Sequence, residues 1–358
     1  MQVLARIDAS CALADVAETT SRIESLGYDG VQISETIHDP FVVAALCIAN
    51  SSRLLIRTSV ALAFVRSPLL TAYAAWDLSR MSKGRFQLGL GSQVRQNVED
   101  RYGMPWSSPV ERMREYIAVL DTAFTAFRTG RLVPFDGAHY RLRRLQPYFN
   151  PGPDEDTVTP PIWLGGVNPR MCRLAGERAE GFTAHSTNSH PRYIRERCLP
   201  YLEEGAHAAG RDPTAIPIVA GSCFITGRDS DDLAKQRETQ RRKFAFLYST
   251  PAYRPALELC AYPGLHDELR QLVRAGAWDR LADVVTDEVL DEIQPAATYD
   301  ELPALVARRL NGLVSGFVLP LPEDREDPED REDPEDDERF GTVIAAIHAI
   351  ERAEQWES

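Results

Sequence analysis

Two apolar runs decide the fold: Leu54-Leu55-Ile56-Arg57-Thr58-Ser59-Val60-Ala61-Leu62 and Phe86-Gln87-Leu88-Gly89-Leu90-Gly91. Both are rich in aliphatic or β-branched residues and bounded by Gly, Ser and Pro, the pattern of strands buried on both faces. Between them, Leu69, Ala72, Tyr73, Trp76, Leu78 and Met81 recur at helical spacing after Pro68. Strand, helix and strand at this separation make a βαβ unit, which closes right-handed. Ligands gather where the strands of such a sheet end.

The same unit recurs in both directions. Gln2–Ile7, Gly30–Ser34, Pro161–Gly166, Gly181–Ala184, Ile216–Thr226 and Leu313–Leu319 complete eight strands, with helices between most of them. Four junctions share one punctuation, a capping side chain before proline: Asp39-Pro40, Ser67-Pro68, Ser108-Pro109 and Asn168-Pro169. Glu111 stands three residues after Ser108, as in a capping box. The expected fold is therefore α/β, a (β/α)8 TIM barrel forming one domain over residues 1–358. A doubly wound sheet is the alternative. Insertions are expected at about 93–108, 129–161 and 250–298, after strands 4 and 7. The second contains a short hairpin at Asp136-Gly137.

Charge is local. The chain carries a formal −13, but Glu323–Glu338 sets twelve acids against two arginines, a net −10. This tract repeats EDREDP and reads as a solvated acidic loop before the C-terminal helix Phe340–Ile350. The rest is nearly neutral and lacks the basic face that nucleic acid requires. No basic leader and no membrane-length apolar run stand out, and the six cysteines include no CxxC pair. The expectation is a cytoplasmic enzyme acting on a small molecule, with no nucleic-acid or membrane partner. No histidine spacing suggests a metal. Only Lys83, Lys235 and Lys243 accompany 37 arginines, so anions fall to guanidinium and backbone N–H groups.

Glu35 and His38 follow the second strand and are the candidates for proton transfer. The glycines of Gly89-Leu90-Gly91 let a flat ring approach the backbone, with Ser92 and Gln93 at its edge. A dinucleotide reading fails because Val94 replaces the third glycine. Gly165-Gly166-Val167-Asn168-Pro169-Arg170 is a strand-to-helix turn suited to phosphate. His185 and Ser186 end the sixth strand and add donors. Phe64, Tyr102 and Trp106 are candidate walls of a substrate pocket, and Trp163 and Tyr140 are further aromatics nearby; the bland reading of each is core.

Several of these stretches together carry a resemblance: Glu35–Phe41, Ala63–Pro68, Leu88–Val94, Arg101–Trp106, Trp163–Arg170 and Leu174–Phe182. The chain resembles the bacterial luciferase-like monooxygenase superfamily, most of all its F420-dependent oxidoreductases, over about residues 1–225 and again 301–319. The resemblance implies a flavin (FMN) or the deazaflavin F420 at the C-terminal mouth. It also implies a non-prolyl cis peptide in the third strand at Ser59-Val60, so that Ser59, Val60 and Ala61 back the ring. Sugar-dehydrogenating relatives carry Asp-His where Glu35-Thr36 stand, and relatives that oxidise glucose phosphate carry Glu at Val94. Three functions follow as expectations: an F420-dependent hydride-transfer enzyme, an FMN monooxygenase served by a separate flavin reductase, or a barrel kept only for binding. Family likeness also implies a homodimer through the helices beside the second and third strands.

Overall fold

Alternation of buried strands with one-sided helices leaves a parallel sheet two choices, an open layer or a closed ring. The computed structural model shows the ring; it describes residues 1–322 and 334–354. The barrel strands are β1 (Gln2–Ile7), β2 (Gly30–Ile33), β3 (Leu55–Thr58), β4 (Phe86–Gly91), β5 (Ile162–Gly166), β6 (Gly181–Ala184), β7 (Ile218–Ala220) and β8 (Gly316–Val318). Each pairs in parallel with the next, and β8 returns to β1. Ala61–Leu62 continues β3 past the Ser59-Val60 peptide, which is cis, and pairs with Leu90–Gly91.

Helices α1 (Val16–Ser25), α2 (Pro40–Ala49), α3 (Pro68–Ser82), α4 (Pro109–Thr129), α5 (Pro169–Arg178), α6 (Leu199–Ala208), α7 (Leu302–Leu310) and α8 (Pro334–Glu354) belong to the ring unit. One continuous apolar core joins their inner faces to the strands, from Val3 and Ile56 through Trp76, Phe127 and Phe182 to Phe340. Proline opens the first turn at all four punctuated junctions. Side chains cap only two. Asp39 accepts from Phe41 N at 2.8 Å and Asn168 from Met171 N at 3.0 Å. Ser67 and Ser108 make no such bond, and Glu111 instead pairs with Arg170 at 2.6 Å. The capping box is thus undone by a tertiary partner of opposite charge.

Several boundaries differ from the sequence reading. The expected long seventh strand is two: Ile218–Ala220 stays in the barrel, while Ile225–Gly227 pairs outside it with Ala296–Thr298. Gly221 forces the break by lying against the Ser186 backbone, where a Cβ would come within 2.6 Å of N. The helical stretch after β6 widens into a π turn at Ile194–Cys198, just before Pro200, which has no N–H for the ladder. Residues 93–108 hold a second π turn, Asn97–Arg101, and the hairpin pairs Phe135–Asp136 with Arg141–Leu142. The acidic reading also changes in part. Residues 323–333 lie outside the described ones, but Pro334–Glu338 open α8 rather than a loop. Proline is tolerated in a first helical turn, and Glu335, Asp336 and Asp337 complement the positive end of the dipole. Among the described residues no helix is long and apolar enough to cross a membrane.

The insertion after β7 is helical: Ser230–Tyr248, Arg254–Leu259, Pro263–Arg274 and Asp287–Ile293, with the 3-10 turns Trp278–Arg280 and Ala282–Val284 before the last. It packs on the β6 and β7 side of the mouth through Tyr248, whose hydroxyl donates to Thr187 O at 2.8 Å.

Candidate functional site at the C-terminal mouth

Close approach of backbone builds the mouth. At Gly91 an added Cβ would fall 2.4 Å from Val60 Cγ2, and at Gly165 2.7 Å from Val60 Cγ1. The Val60 isopropyl group therefore fills the space that side chains on β4 and β5 would take. Its methyls join the bulge of β3 to both glycines as one apolar wall. Ser59 N donates to Ile33 O at 2.6 Å, and Ser34 Oγ donates to Ser59 O at 3.0 Å, which fixes the bulge to β2. Ser92 and Gln93 follow at the end of β4, where Gln93 adopts a left-handed φ of 60° and accepts Val94 N at 2.8 Å.

Glu35 is an anchor. Its side chain is 8 % exposed, and Oε2 accepts both from Leu62 N at 2.7 Å and from Arg66 Nη1. Arg66 also reaches Asp39 at 3.1 Å. Burial works against the Arg66 charge, but the Glu35 hydrogen bond and the two carboxylates outweigh it and raise its pKa. His38 differs: half-buried, it lines a cavity of about 200 Å³ with Arg6, Asp8, Cys11, Ser34 and Thr36. Its ring makes no hydrogen bond to the described residues.

A second cavity of about 80 Å³ lies across Arg6, walled by Ser186, Ser222, Gln240, Lys243 and Gln294 among others. His185 stands beside it, stacked on Tyr253 with ring centroids 5.0 Å apart. Surrounding protein, then the charge of Arg6, lower its pKa. Thr187 N donates to its Nδ1 at 3.3 Å. Asn168 caps α5, and Tyr193 donates to Val167 O at 2.7 Å. Gly166 is filled from behind by Met171, whose Cγ would lie 2.7 Å from a Cβ.

The structure thus brings together Val60, Gly91 and Gly165, with Ser59, Ala61, Ser92, Gln93, Gly166, Val167, Asn168, His185 and Ser186 on the same rim of strand ends. Arg170 points elsewhere, to Glu111 on α4. Phe64 is a correction: it is 0 % exposed, a core residue under Trp106 at 5.9 Å and Arg112 at 4.4 Å rather than an open wall of the mouth. Arg112 also donates to Tyr140 Oη at 2.8 Å and Pro105 O at 2.7 Å, so this aromatic group pins the loop after β4. Trp106 and Tyr102 are partly open in that loop, and Arg101 ties it to Thr36 O at 2.7 Å. Trp163 lies inside the barrel, 4 % exposed, beneath Arg57.

The sequence reading misses Arg6, Gln32, Arg57 and Gln87, which line the barrel interior. Their signal is visible in retrospect: single polar residues interrupt otherwise apolar strands. A surface depression of about 870 Å³ lies at the opposite end, among Gln2, Asp29, Ser315 and His348, where strands begin. Chemistry in such barrels sits at the other rim.

A family model described as luciferase-like monooxygenase matches residues 2–315. An uncharacterized protein of Mycobacterium tuberculosis is 36% identical over 309 residues, covering 86% of this chain and 90% of its own. The 5,10-methylenetetrahydromethanopterin reductase of Methanolobus tindarius is 27% identical over 313 residues, covering 86% and 90%. The coenzyme F420-dependent tetrahydromethanopterin reductase of Methanopyrus kandleri superposes with a TM-score of 0.77 at 18% identity, covering 97% of this chain and 98% of that one. With its closed ring of eight parallel strands and a match over most of its length, the chain belongs to the luciferase-like monooxygenase family.

Proposed function

We propose that this luciferase-like enzyme is an F420-dependent oxidoreductase that transfers a hydride between the deazaflavin and a small organic substrate. The observation that carries the reading is the apolar wall where Val60 backs onto Gly91 and Gly165, a surface fitted to the face of a planar ring. When bound, the deazaflavin supplies two-electron hydride chemistry. The chain's residues orient and desolvate. Ser59, Val60 and Ala61 back the ring, Ser92 and Gln93 bond its edge, and Gly165, Gly166, Val167 and Asn168 with Ser186 and His185 face its phosphate end. Arg170, drawn to Glu111, takes no part unless that pair opens. His38 moves the proton, being the imidazole that faces the mouth cavity, while Glu35 positions the β3 bulge through Leu62 and Arg66. Tyr102 and Trp106, in the loop after β4, flank the substrate.

Titrating the purified chain with F420 and with FMN tests this. F420 is expected to bind at least tenfold tighter than FMN, read by quenching of deazaflavin fluorescence. Tight FMN binding without F420 binding would instead support a monooxygenase fed by a separate flavin reductase. Binding of neither supports a barrel that has lost catalysis.

We also propose a homodimer through α2 and α3. Ile37, Val42 and Leu70 leave 70 %, 48 % and 65 % of their surfaces exposed on or beside these helices. Light scattering is expected to give twice the chain mass for wild type and a monomer for Leu70→Glu; a monomeric wild type rejects the interface.

A further inference from the structure

Four polar side chains run around the inside of the barrel at one level. Arg6 on β1 is the register partner of Gln32 on β2, Gln32 of Arg57 on β3, and Arg57 of Gln87 on β4. Register partners in a parallel sheet point to the same face, so all four project to the interior with Arg6, which lines both mouth cavities. Arg57 is 2 % exposed and Gln32 4 %. Arg57 stacks on Trp163, 3.4 Å from the ring centroid, and donates Nε to Gln87 Oε1 at 2.7 Å. No carboxylate pairs with it among the described residues. Its Nη1 and the Nε2 of Gln32 have no hydrogen-bond partner there either.

A buried guanidinium without a counter-charge is costly, and burial alone lowers its pKa to about 9. Folding gains nothing from two unpartnered donors on neighbouring strands of the barrel interior, next to Arg6, which borders the mouth cavities. Something that accepts from both belongs there. A guanidinium edge beside an amide offers two N–H directions side by side, which suits the two oxygens of a carboxylate. Across the cavities, Lys243 adds a second cation at the rim. Asp8 is the carboxylate on that side; it faces Arg6 at 3.9 Å and accepts from Ser10 N and Oγ at 2.8 and 2.6 Å, so the two free donors of the row are those of Gln32 and Arg57.

We propose that the row Arg6–Gln32–Arg57 is an anion subsite that receives the carboxylate of a small carboxylic-acid substrate, with Gln32 Nε2 and Arg57 Nη1 as its donors. The assignment rests on reading this mouth as the substrate face, but not on which cofactor occupies it. The cavity of about 200 Å³ beside Arg6 has room for a group of only a few heavy atoms, as a water's share of liquid is about 30 Å³.

Calorimetric titration of the full, cofactor-free chain with propionate and benzoate, against the uncharged propionamide and benzamide, tests it. The carboxylates are expected to bind at least tenfold tighter than the amides, and Gln32→Leu to lose that preference while melting no lower than wild type. Arg57→Met is expected to lose it too; Gln32→Leu keeps the test decisive if Arg57→Met does not fold. Equal binding of acid and amide, or an unchanged preference in Gln32→Leu, overturns the proposal. F420 is titrated separately. If F420 does not bind but the preference stands, the cofactor reading falls and the subsite remains. If Gln32→Leu weakens F420 and carboxylates do not bind, the row serves the cofactor and the proposal is overturned.

Discussion

Gly89→Ala is expected to destabilise the barrel by more than about 3 kcal/mol, the upper end of overpacking costs. An alanine Cβ would sit 1.8 Å from the Thr58 carbonyl oxygen. That atom is backbone, so no rotamer change relieves the contact. The strands cannot part cheaply either, because Thr58 Oγ1 clamps Gly89 from both sides. It donates to Gly89 O at 2.8 Å and accepts Gly89 N at 2.9 Å. Two residues on, Gly91→Ala meets only the Val60 methyl, and its cost is expected in the range of about 1–3 kcal/mol. That variant should fold and lose ring affinity, since a stiff β-branched side chain must turn into the ring's place. Urea unfolding of both variants, with F420 titration of Gly91→Ala, checks the pair. A Gly89→Ala protein as stable as wild type would mean that β3 and β4 do not approach as described.

Removing the Glu35 carboxylate is expected to be nearly as damaging. Glu35→Ala strips Leu62 N of its acceptor and leaves Arg66 only the exposed Asp39. Breaking a buried pair costs about 3–5 kcal/mol, and the remaining Asp39 contact places this case near about 3 kcal/mol. Arg66→Met should cost a similar amount. The double variant Glu35→Ala with Arg66→Met should lose little more than either, since the two losses are one interaction. Glu35→Gln keeps an acceptor for Leu62 N and should fall between. Chemical unfolding of these four proteins decides the matter. A Glu35→Ala chain within about 0.5 kcal/mol of wild type would return Glu35 to the list of free proton carriers.

These two sites show where sequence reading stops. Propensity and period were enough for the elements. Leu55–Thr58 and Phe86–Gly91 announce buried parallel strands, and proline after a capping residue marks the start of four helices. The sequence reading put Ser59-Val60 and Gly91 against a ring and Gly165 in a separate phosphate turn, with nothing to join them. Their common partner, the Val60 side chain, lies 31 residues from one and 105 from the other. Nothing local couples them. Glu111 shows the reverse error, a residue whose local pattern promised a cap and whose charge was claimed by Arg170 from another helix.

Sequence alone therefore determined the class of fold and the order of its pieces, because strand burial, helical period and proline punctuation act over a few residues. It also located the acidic charge in one tract. Tertiary structure alone decided which polar side chains meet. It tied Glu35 to Leu62 and Arg66, put Phe64 in the core, split the seventh strand at Gly221, and aligned Arg6, Gln32, Arg57 and Gln87 inside the ring. The physical reason is that register and ring closure set these contacts, and both depend on packing between segments far apart in the chain.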